Sequence, residues 1–151
     1  MYTSYYKNEK VMIKIKSNED SVTEITFVKD KNDIEDETEE NLIIKQCKEQ
    51  LDEYFEGERK EFRIKYIYSG TKFQERVWKE LLNVGYGTTI SYKELSKRVG
   101  NPKAVRAVAN AVGKNKIGII IPCHRIIGSN GTLTGYAGGL ENKKYLLEIE
   151  K

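Results

Sequence analysis

Apolar and polar residues alternate early in the chain. Val11, Ile13 and Ile15 are separated by polar neighbours, which places them on one face of a strand. Val22 to Val28, rich in β-branched residues and carrying Phe27, predicts a second strand. Asp30 to Glu40 is strongly acidic and reads as a solvated loop leading into a helix. Ile43, Cys47, Leu51 and Phe55 recur every four residues, a helical spacing, and Gly57 supplies a C-terminal stop. Cys47 lies on that stripe and is expected to pack in a core. Phe62, Ile64, Tyr66 and Tyr68 alternate again and predict a third strand. Ser69-Gly70-Thr71 reads as a linker.

The period then changes. Phe73, Val77, Trp78, Leu81 and Leu82 mark an amphipathic helix ending near Gly85. Ser91-Tyr92-Lys93-Glu94 has the form of a capping box, in which Ser91 caps the helix and Glu94 reaches back. That helix runs to about Val99 and stops at Gly100. Asn101 is placed to cap the next helix, with Pro102 at its first position, and that helix ends near Val112 and Gly113. Two helices joined so tightly are a helix-turn-helix candidate. Ala104, Ala107, Ala109 and Ala111 make the second helix thin, so its backbone can approach a phosphate chain or groove. Lys103, Arg106 and Asn110 fall on one polar face. An ordinary alanine-rich helix with a solvated side has the same pattern, and only its surroundings favour the functional reading. Gly128 to Gly139 holds five glycines and predicts a long loop with tight turns, suited to close ligand contact. Leu140 to Lys151 closes the chain as a helix.

Composition adds boundaries. A chain of 151 residues makes one domain or two small ones. Two cysteines build no disulfide framework, so a reducing cytoplasm is the expected compartment. The N-terminal residues lack a signal peptide's apolar core. The longest apolar run, Ile117 to Pro122, is too short to span a bilayer. Charge is split along the chain. Residues 1–68 carry 12 Lys/Arg against 17 Asp/Glu, a net of −5, whereas residues 69–151 carry 14 against 6, a net of +8. A basic second half draws acidic partners, nucleic acid foremost, although lysine-rich solvated surfaces are common.

The chemistry centres on one dipeptide. The only histidine, His124, directly follows Cys123 in the run Ile121-Pro122-Cys123-His124-Arg125. A thiolate is a nucleophile, and imidazole is the side chain suited to take its proton near neutral pH. Alone, the pair equally describes a small buried cysteine beside a surface histidine.

From Phe73 onward the chain resembles the O6-alkylguanine-DNA alkyltransferases (methylated-DNA–protein-cysteine methyltransferases). The likeness runs through Phe73-Gln74, Val77-Trp78, Gly87-Thr88, Ser91-Tyr92, Gly100-Asn101-Pro102 and Arg106-Ala107-Val108. It continues through Asn115, Pro122-Cys123-His124-Arg125, Gly135-Tyr136, Gly138-Gly139, Lys143, Leu146-Leu147 and Glu150. The first half matches only in general plan. The resemblance implies an α+β chain: a small N-terminal α/β domain with a short antiparallel sheet over 1–68, a linker at 69–72, and a mainly helical winged helix-turn-helix domain over 73–151.

It also implies duplex DNA as partner, entered from the minor groove, with a damaged guanine rotated out of the stack and its O6-alkyl group moved irreversibly to Cys123. O4-alkylthymine is a possible second substrate class. In that scheme His124 takes the thiol proton through a bridging water, Glu150 supports the imidazolium, and Asn115 ties the active-site turn. Tyr92 assists flipping and donates to the guanine ring. Tyr136, Ala137 and the backbone near Ile126 bind the alkylguanine. Arg106 fills the vacated space, and Lys103, Asn110, Ser91 and Arg125 contact DNA. No cofactor, metal or membrane is implied, and a monomer is expected. The N-terminal half holds one cysteine and no histidine, too few for a structural zinc.

Two departures from the family pattern stand out. Lys116 follows Asn115 where proline is usual, and Ala137 stands where some relatives carry serine. Other readings fit less well. A lesion-binding protein without chemistry lacks the cysteine that is present here. A cysteine hydrolase needs a histidine facing the thiol and leaves the helix-turn-helix unexplained. An alkylation-sensing regulator needs a regulatory domain.

Overall fold

Strands β1 (Tyr2–Lys7), β2 (Met12–Ser17) and β3 (Val22–Phe27) form an antiparallel sheet in the order β1-β2-β3. The computed structural model describes residues 1–151 and divides into two units. Met1–Tyr68 and Lys116–Ile120 make the first, and Ser69–Asn115 with Ile121–Lys151 make the second.

In the first unit, Ile13, Ile15, Val22 and Ile25 are buried from the sheet, and helix α1 (Leu42–Phe55) packs on β1 and β2. Asn41 caps α1 by accepting from the Ile44 N–H, and Gly57 follows its end with φ 79°. The buried stripe is Ile44, Cys47, Leu51 and Tyr54 rather than the predicted four-residue series. A helical turn of 3.6 residues drifts off such a series within three turns.

Two predicted features are corrected. β1 lacks aliphatic alternation and escapes the pattern, because its buried Thr3 and Ser4 are satisfied by hydrogen bonds instead. Thr3 N donates to Thr38 Oγ1 at 3.0 Å, and Ser4 Oγ donates to Glu40 Oε2 at 2.9 Å. The acidic stretch therefore lies along β1, with Thr38 N donating to Thr3 O at 2.9 Å, and is not merely a solvated loop. Conversely, Phe62 to Tyr68 is extended but forms only a bridge, at Val22↔Tyr66. The outer edge of β3 is shared. Val22 pairs with Lys65 and Ile67, while Ile25 N donates to Lys116 O at 2.8 Å and Gly118 N to Ile25 O at 2.9 Å. The later segment occupies the edge that a full third strand needs.

The second unit is helical. Helix α2 (Lys72–Leu81) opens with a complete capping box between Thr71 and Gln74, so the supposed linker residue Thr71 is the cap. Strand β4 (Ile90–Ser91) leads into α3 (Tyr92–Arg98), a turn, and α4 (Val105–Gly113). The Trp78 indole N–H donates to Ala111 O at 2.8 Å, locking α2 to α4. Only half of the second capping box forms. Ser91 accepts from Glu94 N, but the Glu94 carboxylate takes Arg98 at 3.1 Å. Helix α4 begins three residues later than Pro102, after an Asn101–Ala104 turn, and has no side-chain cap. Lys103 consequently precedes the helix. A turn at Cys123–Arg125, strand β5 (Ile126–Ile127, parallel to β4) and α5 (Leu140–Ile149) complete the unit. No helix is long and apolar enough to cross a membrane.

Candidate active site

The turn Cys123–Arg125 sets Cys123 against Asn115 and brings both His124 and Arg125 to Glu150. Pro122 ends the incoming apolar segment, and Cys123 N donates back to Ile121 O at 2.8 Å. On the cysteine side, Asn115 Nδ2 donates to Ile121 O at 3.0 Å and to Cys123 Sγ at 3.3 Å. Asn115 therefore holds the turn with Lys116, not proline, next in sequence. Burial pushes the Cys123 thiol up from its ordinary value. The Asn115 donor, the backbone, the Lys143 charge and the Tyr136 hydroxyl act in the opposite direction. The resting sulfur is a protonated thiol that needs a base.

On the histidine side, His124 is fully buried and its Nε2 lies 2.7 Å from Glu150 Oε2. An ionised carboxylate only accepts, so Nε2 carries the proton and Nδ1 carries the lone pair. Nδ1 is buried and has no hydrogen-bond partner. Burial holds the imidazole below its ordinary basicity, against the pull of Glu150 and with the push of Arg125 and Lys143. A neutral imidazole with a free lone pair is equipped to accept a proton.

Arg125 is corrected. Its guanidinium is buried rather than turned toward DNA. Nε donates to Glu150 Oε1 at 2.8 Å, Nη2 to Glu150 Oε2 at 3.0 Å, and Nη1 to Val84 O at 2.7 Å. Nothing in sequence distinguishes this arginine from a surface one, because its partners are 25 and 41 residues away.

Lys143 is a site residue to which the sequence gives no role. It is fully buried, and its ammonium donates to Ile126 O at 2.5 Å and Thr134 O at 2.9 Å, 5.8 Å from the Tyr92 ring centroid. Burial lowers it to about 8, and the Cys123 charge opposes that. A usable signal exists, since Lys143, Leu146 and Glu150 lie on one helical stripe. The same contacts place Ile126, whose side chain is buried and whose carbonyl serves Lys143.

A pocket of about 830 Å³ lies in the same unit. Its walls include Arg106, Ala109 and Asn110 from α4, Tyr136 and Ala137 from the glycine-rich loop, and Tyr92. The small α4 residues leave this space open. The Tyr92 hydroxyl donates to Gly135 O at 3.1 Å and lies 3.3 Å from Thr134 O. Arg106, Asn110 and Lys103 are exposed, and Ser91 Oγ serves as the α3 cap. Thus Cys123, Asn115, His124 and Glu150 come together, Tyr92 and Tyr136 join the pocket, and Lys103 and Ser91 stand outside its lining. No group of three or more His, Cys, Asp or Glu side chains is arranged to hold a metal ion.

Two family models match the chain. The 6-O-methylguanine DNA methyltransferase DNA binding domain covers residues 72–151, and the ribonuclease-like domain of the same family covers residues 1–66. A methylated-DNA–protein-cysteine methyltransferase of Methanosarcina acetivorans is 43% identical over 153 residues, covering 99% of this chain and 98% of that protein. The Haemophilus influenzae protein of the same name is 42% identical over 155 residues, covering 100% and 87%. The crystal structure of Mycobacterium tuberculosis OGT in complex with DNA aligns with a TM-score of 0.90 at 38% identity, covering 100% of this chain and 93% of that one.

Proposed function

We infer, for a chain that belongs to the 6-O-methylguanine DNA methyltransferase family, that it is a methylated-DNA–protein-cysteine methyltransferase acting in direct DNA repair. Its substrate is O6-alkylguanine in duplex DNA, and the acceptor is its own Cys123. The observation that carries this reading is the buried set in which Asn115 donates to the Cys123 sulfur while Glu150 fixes His124 with Nδ1 unpartnered.

The chemistry follows from those positions. His124 Nδ1 takes the thiol proton through one bridging water, since adjacent side chains seldom meet directly. The thiolate attacks the alkyl carbon in line, a C–S bond forms, and the C–O6 bond breaks. Guanine departs with the electron pair and regains a proton from donors at its ring. Tyr92 supplies one such donor after leaving the Gly135 carbonyl. The thioether is stable, so one molecule acts once.

Access requires the base outside the stack, which costs a few kcal/mol and less for a poorly paired lesion. Arg106, exposed on α4 at the pocket, fills the vacated space, and a planar guanidinium both stacks and hydrogen-bonds there. Tyr136 and Ala137 wall the alkylguanine. Lys103, Asn110 and Ser91 meet the backbone. The protein acts as a monomer.

The test is intact-protein and peptide mass spectrometry after mixing with a duplex carrying one O6-methylguanine. One added methylene on the Cys123 peptide, with no turnover in excess DNA, is the expected result. Tight binding without a mass change overturns the reading. Arg106→Ala is expected to slow repair of duplex more than reaction with free O6-alkylguanine base, and equal losses remove Arg106 from flipping.

A further inference from the structure

Glu150 serves two side chains at once, the neutral imidazole of His124 and the guanidinium of Arg125. Its Oε2 takes His124 Nε2 at 2.7 Å and Arg125 Nη2 at 3.0 Å, and its Oε1 takes Arg125 Nε at 2.8 Å, with Gly87 N at 3.3 Å. Arg125 adds a third contact, to Val84 O just beyond α2, and stands 5.8 Å from the Tyr86 ring centroid. The Tyr86 hydroxyl donates to Ile149 O at 3.3 Å. The carboxylate is thus fixed from α5, from the turn and from the segment after α2. We propose that Arg125 is a positioning residue of the transfer site: by sharing Glu150 with His124 and anchoring it to Val84, it holds the imidazole as a neutral base with Nδ1 toward the thiol.

A lone buried carboxylate at 2.7 Å orients an imidazole but also draws a proton onto it. An imidazolium is no base. The guanidinium fork opposes that pull and adds to the burial that already disfavours the imidazolium, while the hydrogen bond that sets the tautomer survives. The other charged or titratable groups around the site are Lys143 on α5, the Cys123 thiol, and Tyr86, Tyr92 and Tyr136. Arg125 takes both oxygens of Glu150. Only a fork with donors on three nitrogens serves the carboxylate and the Val84 carbonyl together, so lysine replaces the charge but not the geometry.

The inference rests on reading Cys123 as nucleophile and His124 as its base. Because the chain has one histidine, its imidazole proton signals report a single site by NMR. The experiment follows that titration in the full chain for the native protein, Arg125→Met and Arg125→Lys, beside the pH profile of transfer from an O6-methylguanine duplex. In Arg125→Met the His124 midpoint and the acid limb of transfer are expected to rise together by about one pH unit or more. In Arg125→Lys the midpoint stays within about half a unit of the native value while transfer slows at every pH. An unmoved midpoint in a folded Arg125→Met, with a uniform loss of rate, overturns the proposal. If Arg125→Met does not fold, Arg125→Lys decides, and either a native rate or a midpoint raised by a full unit overturns it. Alkyl uptake by Cys123→Ser defeats the transfer reading instead, and leaves the titration arms standing.

Discussion

Asn115→Ala isolates the contact that lowers the barrier to forming a thiolate. The Asn115 amide has two hydrogens, one given to Ile121 O at 3.0 Å and one to Cys123 Sγ at 3.3 Å. A hydrogen bond to a charged acceptor is worth about 1.5–3 kcal/mol, and one to a neutral acceptor about 0.5–1.5 kcal/mol. The difference falls on the thiolate, so the Cys123 thiol should rise by roughly one unit, and transfer at neutral pH should fall about 10-fold or somewhat more. The Ile121 carbonyl keeps Cys123 N as its other donor, so the lost hydrogen bond costs about 0.5–1.5 kcal/mol of stability as well. The two effects separate by pH. Transfer from an O6-methylguanine duplex and iodoacetamide labelling of Cys123 should both be slow at pH 7 and recover toward the native rate as pH rises past the thiol midpoint. Asn115→Asp should be slower than alanine, because it sets a carboxylate against the sulfur. A rate deficit of equal size at every pH would refute the reasoning and leave Asn115 a purely structural residue.

Three further outcomes follow from other contacts. Gly87 has φ 75°, and a Cβ there stands 2.8 Å from Glu150 O; Gly87→Ala should destabilise by about 1–3 kcal/mol in urea unfolding and slow transfer by displacing the Glu150 backbone. Lys143 falls to about 8 in the folded chain from an ordinary 10.5, so between those values the unfolded chain binds more protons and stability gains with rising pH. The stability difference between native protein and Lys143→Met, read from urea midpoints, should therefore shift in favour of the native protein from about pH 8 to pH 10, and a flat difference would remove the buried charge from the account. Cys47 is buried with its thiol pushed up to about 12, so iodoacetamide at pH 8 should leave it unlabelled in the folded chain and label it in urea.

What sequence made legible was governed by local rules, and what it hid was governed by partners far along the chain. Helices α1, α2, α3 and α5 follow from apolar spacing, with the Ser91 cap marking the start of α3. The capping box at Thr71–Gln74 is read as linker only because its Thr follows Ser69-Gly70. Helix α4 starts late because Asn101 O accepts from Ala104 N in a turn, which leaves Pro102 outside the helix. β1 is invisible to hydrophobic alternation because its buried positions include Thr3 and Ser4, whose partners are 35 and 36 residues away. Phe62–Tyr68 has the right alternation but lacks a free strand edge. Ile119 adopts φ 69° although Gly118 is its neighbour, a strain of about 1–3 kcal/mol that no residue type announces. At the site, Cys123, His124 and Asn115 are visible from motif and resemblance. The fork of Arg125 and the burial of Lys143 depend on which way a side chain turns, and that is settled by packing.

The same distinction explains how two adjacent residues share one reaction. Neighbouring side chains on a tight turn diverge, so Cys123 and His124 are set by separate supports, Asn115 on one side and Glu150 with Arg125 on the other. The carboxylate and guanidinium cancel, so a fixed pair occupies the histidine side before and after transfer. The cysteine side differs. Lys143 gives its hydrogen bonds to carbonyls and has no carboxylate within ion-pair distance, while the charge that favours its protonation is that of Cys123. A buried cation is costly without a counter-charge, and a buried thiolate likewise. Each is eased by the other only while the sulfur is ionised. The resting thiol supplies that partner whenever it ionises, and the neutral thioether left by transfer cannot, whereas the Glu150–Arg125 pair keeps its own. The electrostatic consequence of the reaction is therefore concentrated on the Lys143 side, at the Ile126 and Thr134 carbonyls that it ties together.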